Sequence, residues 1–225
     1  MENNGKIELN NTKNEIIGIF DENDNYLRSD TRKNMRKNNL IHRCTDIVVI
    51  NQNQEILVQT RSMKKEYCPG YLESVIGGVV GDKENVDLSA EREIKEEIGI
   101  DVNKIKEKLK FIKKYFFEED ICRVWTYCYL LKLTEDEIKD IKFCDHEVSS
   151  IQWIEKNKLL DMFNDTNIKF TGGCKETIKL FKNLIIKIKN NNKLKIKIYF
   201  PIKVSLSLSF SLIAFPFALF SSMIC

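Results

Sequence analysis

Between Gly78 and Ile100 the chain carries nine constrained positions in one register: Gly78, five residues, Glu84, seven residues, then Arg92-Glu93-Ile94-Lys95-Glu96-Glu97-Ile98-Gly99-Ile100. The register predicts a glycine-rich loop running into a helix over Asp87–Ile98, with Asp87 as its N-cap and Gly99 as its stop. At about 100° per residue, Glu93, Glu96 and Glu97 then fall within one arc of roughly 100°. Ala90, Ile94 and Ile98 form the neighbouring apolar stripe, which would press the helix onto a sheet. Three carboxylates on one face repel each other unless a counter-charge sits among them. Such an oxygen face suits a hard cation, Mg²⁺ or Mn²⁺. Taken alone, Glu91 to Glu97 would read as a solvated helix face. Gly78, Glu84 and Gly99 in register with it favour the metal site.

The rest of the chain alternates strands and helices. Glu15–Phe20, the turn-forming Asp21–Asn25 and Tyr26-Leu27 read as a hairpin. Thr31–Asn39 is a basic stretch with the character of a short helix. Cys44–Ile50 and Glu55–Thr60 flank Asn51-Gln52-Asn53 and suggest a second hairpin. Pro69-Gly70 marks a turn, and Tyr71–Ile76 resumes an extended pattern. Leu109–Phe117 and Cys122–Leu133 read as paired strands and Val148–Ile154 as another, while Asn157–Phe163 and Cys174–Ile188 have helical spacing. Strands mixed with a few helices imply an α/β sandwich rather than a bundle or an all-β fold.

Charge and cysteine usage narrow the function classes. A net charge of +3, from 36 basic and 33 acidic residues, gives no argument for nucleic-acid binding. The seven cysteines are scattered, odd in number and without a CxxC pair, so neither a disulfide framework nor a structural zinc site is expected. Residues 1–14 are polar and Asn-rich, read as a disordered lead-in without the apolar core of a signal peptide. Reduced thiols in a cytoplasmic protein are the simplest expectation. The 22 residues from Val204 to Cys225 carry no charge. As a helix they would span about 33 Å, enough to cross a bilayer core. Lys193, Lys195, Lys197 and Lys203 precede them, as befits a tail anchor with the domain facing the cytosol. Pro216, six serines and the Ser/apolar alternation of Val204–Leu212 point instead to an unstructured extension. Both readings stay open.

The Gly78–Ile100 motif resembles the signature of the Nudix superfamily at every constrained position. The resemblance implies an α/β/α sandwich with a mixed sheet, here with an N-terminal hairpin, over residues 15–190, followed by a basic linker and apolar tail over 191–225. It implies hydrolysis of a diphosphate linkage in a small molecule of nucleoside-diphosphate type, with Mg²⁺ or Mn²⁺ as cofactor. Carried over position by position, Glu93 and Glu97 are direct metal ligands, Glu96 is a further ligand or positions the attacking water, and the Gly78 carbonyl completes the coordination. Arg92 and Glu84 brace the loop against the helix. Leu40–Arg43, Pro69-Gly70, Gly77–Val80 and Cys122–Trp125 look like the branch nearest isopentenyl diphosphate isomerases. Isomerases of that branch use a Cys before the box and a His at its first position, where this chain has Ile76 and Gly78. Isomerase activity is therefore second to hydrolysis. A non-catalytic binding module is third, because the box carboxylates are retained.

Other residues carry weaker expectations. Arg43, Arg61 and Arg123, with Lys64 and Lys65, are candidates to hold substrate phosphates, each alone being more often a surface charge. Glu118 and Glu119 could add a carboxylate but more readily end a hairpin. His42 and His146 read as structural, and Trp125, Tyr127, Tyr129 and Trp153 as sheet or core residues.

Overall fold

The computed structural model describes residues 14–65, 67–143 and 147–190. The lead-in over 1–13, His146 and the tail from 191 onward lie outside the described residues, and so do the anchor and extension readings of that tail. Among the described residues no helix is long and apolar enough to cross a membrane.

The strands are β1 (Ile16–Phe20), β2 (Tyr26–Thr31), β3 (His42–Ile50), β4 (Ile56–Arg61), β5 (Leu72–Glu73), β6 (Lys110–Glu119), β7 (Cys122–Lys132) and β8 (Val148–Ile154). The helices are α1 (Arg32–Lys37), α2 (Val86–Ile98), α3 (Glu135–Lys139), α4 (Lys156–Asn164) and α5 (Gly172–Asn190). β1 and β2 form the expected antiparallel hairpin. The other six strands form one mixed sheet in the order β5-β4-β3-β7-β6, with β8 on β4. β6 and β7 pair antiparallel as expected, while β3 and β7 run parallel from His42↔Val124 to Ile50↔Lys132.

The hairpin expected between β3 and β4 is reduced to its turn. Their only register pair is Ile50↔Ile56, and β4 turns away to pair with β8 from Ile56↔Ile154 onward. The gap this leaves along β3 is filled by the glycine loop: Thr45 N donates to the Gly78 carbonyl (2.9 Å), Ile47 N to Ile76 O (2.7 Å) and Val80 N to Arg43 O (3.0 Å). The parting of β3 and β4 is thus what admits the motif into the sheet. The extended run at Tyr71–Ile76 contracts to β5 for the same reason, since Ile76 bridges to Ile47 instead of continuing along β4.

Alternation along β3 divides the core into two layers. Ile47 and Val49 face Ala90, Ile94 and Ile98 of α2, whereas Val48 and Ile50 face Leu159 of α4 and Cys174, Ile178 and Phe181 of α5. One sheet between two helical layers is the α/β/α sandwich expected of the sequence. A smaller cluster of Ile17, Ile19, Met35 and Val79 fixes the N-terminal hairpin to the glycine loop. The described cysteines, Cys44, Cys68, Cys122, Cys128 and Cys174, are free thiols.

Candidate metal and hydrolytic site

Helix α2 begins one residue earlier than the sequence suggested. Asn85, not Asp87, is the N-cap, its side chain accepting from the Asp87 and Leu88 amides. Asp87 is drawn off by Tyr129, whose hydroxyl donates to its Oδ1 at 2.6 Å. Gly99 ends the helix in the left-handed conformation (φ 69°), its amide donating to Lys95 O. With the helix so anchored, its apolar stripe fixes its rotation and carries Glu93 and Glu97 inward. These two are 7% and 4% exposed, whereas the Glu96 side chain is 55% exposed.

Arg92 organises the outer side of this face. Its Nε and Nη2 donate to the two oxygens of Glu84 at 3.0 and 3.2 Å, a bidentate contact. Its Nη1 also reaches Glu93 (2.7 Å) and Glu96 (3.0 Å), and its Nη2 reaches the Val79 carbonyl (3.3 Å). Glu84 in turn accepts from the Gly81 amide at 2.7 Å. Burial opposes ionisation of Glu84, but the Arg92 guanidinium and the Gly81 amide overcome it and hold its carboxyl below the usual range. One arginine therefore closes the loop on the helix and touches two of the three acidic residues.

The inner pair is under electrostatic stress. Burial, with Glu96 nearby, pushes Glu93 up to about 7 despite Arg92. Burial, then the charges of Glu93 and Glu73, raise Glu97 well above the ordinary carboxylate range. Glu97 accepts from Gln59 Nε2 (3.1 Å) and the Gly77 amide (3.4 Å), and among the described residues it has no ion-pair partner. Two buried carboxyls one helical turn apart, only one of them ion-paired among the described residues, are a donor set that fits a hard divalent cation. Glu93 and Glu97 would hold such an ion. As the side chains stand, no three His, Cys, Asp or Glu groups of the described residues converge on one point. The Gly78 carbonyl already accepts from Thr45 N and keeps one lone pair.

The arginines part company. Arg61 on β4 is nearly buried and donates from Nη1 to Glu73 Oε2 at 2.5 Å, in the electrostatic field of Glu97. Arg43 is engaged by Asp24 (2.7 Å) and lies over the Phe20 ring, while Arg123 is held by Glu118 (2.7 Å) and Glu22 (3.0 Å). The latter two serve the N-terminal hairpin. Lys65 pairs with Glu147 and also bears on Glu97. Glu118 and Glu119 end β6 at the turn into β7. His42 is buried and held neutral, its pKa lowered to about 4 by burial. Ile76 is buried against α2. Sequence reasoning missed Gln59 and Glu73. The signal for Gln59 was an amide within the apolar run Ile56-Leu57-Val58, and Glu73 carried none.

The chain is thus an α/β/α sandwich that presents a looped, carboxylate-bearing helix against a split sheet. A NUDIX domain model matches residues 40–171. A Yersinia pestis protein described as an uncharacterized Nudix hydrolase is 42% identical over 111 residues, which cover 49% of this chain and 59% of that protein. YfcD of Escherichia coli K12, described in the same words, is 35% identical over 133 residues, covering 56% of this chain and 72% of YfcD. Among solved structures, DR0079 from Deinococcus radiodurans aligns with a TM-score of 0.63 at 17% identity, over 74% of this chain and 98% of its own. A MutT protein from Methanosarcina mazei Go1 aligns at 0.52 and 18% identity, over 64% of this chain and 95% of its own. The chain belongs to the Nudix family.

Proposed function

We propose that the protein hydrolyses a diphosphate linkage in a small molecule of nucleoside-diphosphate type, using Mg²⁺ or Mn²⁺, and that the domain responsible spans residues 15–190. The observation that carries this reading is the burial of Glu93 and Glu97 side by side on α2 with Glu97 lacking any ion pair among the described residues. A buried acid in that state favours either a proton or a cation, and a divalent cation satisfies both carboxyls together. When bound, such an ion supplies charge neutralisation at the diphosphate and activation of the water nucleophile.

The chain's own residues supply the rest. Glu96, the more exposed of the three, takes the proton from water as its oxygen attacks phosphorus. The new P–O bond forms as the bridging P–O bond breaks, and the leaving phosphate departs on the second product. Arg92 draws the Glu93 and Glu96 carboxylates toward one guanidinium nitrogen. Arg61 and Lys65, which bear electrostatically on Glu97, are the stronger candidates to steady a phosphate, ahead of Arg43 and Arg123. Isomerisation finds no support in the site, because Ile76 and Gly78 offer neither a nucleophile nor a ligand side chain. A panel of nucleoside diphosphate derivatives, dinucleotides, cofactor nucleotides and isoprenyl diphosphates tests the reading. Release of phosphate-bearing products with Mg²⁺ or Mn²⁺, stopped by a chelator, is the expected result. Tight binding across the panel without turnover would point to a binding module instead.

A further inference from the structure

Gln59 interrupts an apolar strand. It is 2% exposed on β4, directly after the fully buried Val58. Its Nε2 lies 3.1 Å from Glu97 Oε2, 3.2 Å from the Val75 carbonyl and 3.3 Å from Glu73 Oε2. The two amide protons are thus shared among three acceptors. Turning the amide over would set its own oxygen against three others, so the network fixes its orientation.

Glu73 is itself restrained from two directions. Arg61 Nη1 donates to its Oε2 at 2.5 Å and Thr171 Oγ1 to its Oε1 at 3.2 Å, while Arg61 Nε is tied to the Tyr67 carbonyl at 3.0 Å. A continuous series of hydrogen bonds therefore runs from the Tyr67 carbonyl through Arg61, Glu73 and Gln59 to Glu97. It links β4, β5 and the loop between them to the inner face of α2. Gln59 Oε1, by contrast, is buried and finds no hydrogen-bond partner among the described residues. An unsatisfied buried carbonyl is unfavourable, and an apolar side chain of equal length would avoid it. The amide is accounted for by what its nitrogen holds.

We propose that Gln59 is a positioning residue of the hydrolytic site. Anchored on Glu73, it fixes the orientation in which the Glu97 carboxylate meets a divalent cation and stops the two acids from turning toward each other. This rests on the hydrolase reading above and adds to it the device that orients one of its ligands.

Mn²⁺ alone is the probe, titrated into the full chain and read as loss of the free-ion paramagnetic resonance signal. Gln59→Met keeps the length and shape of the side chain and removes the donor. Its Mn²⁺ dissociation constant should rise about 10-fold or more, as happens when the partner of a metal ligand is removed, with a lowered melting temperature, because the Val75 carbonyl and the Glu73 and Glu97 carboxyls lose their shared donor. At saturating Mn²⁺ the substrate KM should be unchanged, because Gln59 does not touch substrate. Glu73→Gln, which cuts the Arg61 ion pair but keeps an acceptor, should weaken Mn²⁺ in the same direction and decides the matter if the Met variant does not fold. Wild-type Mn²⁺ affinity in these variants overturns the positioning role alone. A wild type that binds no Mn²⁺ and hydrolyses none of the panel overturns the hydrolase reading and this inference with it.

Discussion

A side-chain carbon at Gly78 would stand 2.5 Å from Oε1 of Glu93. The first glycine of the motif is thus a matter of space: the loop backbone lies directly on the carboxylate that α2 presents. Gly78→Ala should push Glu93 aside and lower kcat about 100-fold, the scale of effect of a misplacement near 1 Å, with a smaller change in melting temperature. Its neighbour behaves differently. Gly77 has φ +148°, and a carbon there would overlap the Thr45 carbonyl oxygen. Gly77→Ala should cost about 3 kcal/mol of stability through strain and clash. Urea unfolding of the two variants, set beside their kcat values, distinguishes the local effect from the global one.

Among the described residues Arg92 is the cation that touches Glu84, Glu93 and Glu96 together. Lysine keeps the charge but cannot make the two-pronged contact. Arg92→Lys should lower the unfolding free energy by about 2 kcal/mol, the range for hydrogen bonds to charged groups, and should lower kcat as well. Glu84→Gln should share the stability loss while leaving Mn²⁺ affinity near that of the wild type, because Glu84 belongs to the brace. Chemical denaturation and Mn²⁺ titration together check both variants.

Asp24 ties the N-terminal hairpin to the sheet. Its side chain, 3% exposed, takes Arg43 (2.7 Å), Lys114 (2.6 Å) and the Tyr127 hydroxyl (2.6 Å), and its backbone is left-handed at φ 66°. Asp24→Ala leaves the partly exposed Arg43 and Lys114 and the Tyr127 hydroxyl without their acceptor and should cost about 1 to 3 kcal/mol. Asp24→Asn tolerates the backbone and keeps an acceptor for Tyr127, so it should cost less. Equilibrium urea unfolding ranks the two, and equal losses would speak against the charge cluster as the cause.

Much of this was legible in the sequence, and the boundary of legibility has a physical cause. The motif was readable because its glycines, carboxylates and apolar stripe lie within 23 consecutive residues from Gly78 to Ile100, where local geometry decides what faces what. The N-cap was misplaced because Asn85 and Asp87 are both good caps, and the choice was made by Tyr129, 42 residues away. The β3–β4 hairpin was misjudged because its turn is local but its strands answer to β7, β8 and the glycine loop. Arg43, Arg61 and Arg123 were equivalent as residue types, and only Asp24, Glu73 and Glu118 told them apart. Gln59 and Glu73 act through contacts made across the sheet, which no spacing encodes.

Asp46 gives the fold a pH dependence away from the glutamates of α2. Burial pushes its carboxyl from the ordinary 3.8 to about 7, although Thr177 Oγ1 donates to it at 2.6 Å. It faces Glu73 of β5, Tyr115 of β6, Cys44 of its own strand, Cys128 of β7 and Thr177 of α5. The folded form binds the proton more tightly than the unfolded chain. Its contribution is therefore fully present below about pH 4 and is lost as pH rises through about 7. Asp46→Asn removes this titration. Between pH 5 and 8 the wild type should lose stability relative to that variant, by roughly 3 kcal/mol over about two units of titration, as read by urea unfolding at several pH values. A constant difference across that range would exclude Asp46 as the source.

Glu97 is the residue on which hydrolysis most directly depends. Its carboxyl is held toward the neutral form by burial and by the charges of Glu93 and Glu73, so Glu97→Gln, which resembles that neutral acid in shape, should fold at least as stably as the wild type. Hydrolysis of the best substrate on the diphosphate panel should nevertheless fall by about 1,000-fold or more at saturating Mg²⁺, which is the loss of roughly 4 kcal/mol of transition-state stabilisation. Unchanged unfolding with hydrolysis nearly abolished is the expected result. Full hydrolytic activity in the well-folded Glu97→Gln protein would contradict it.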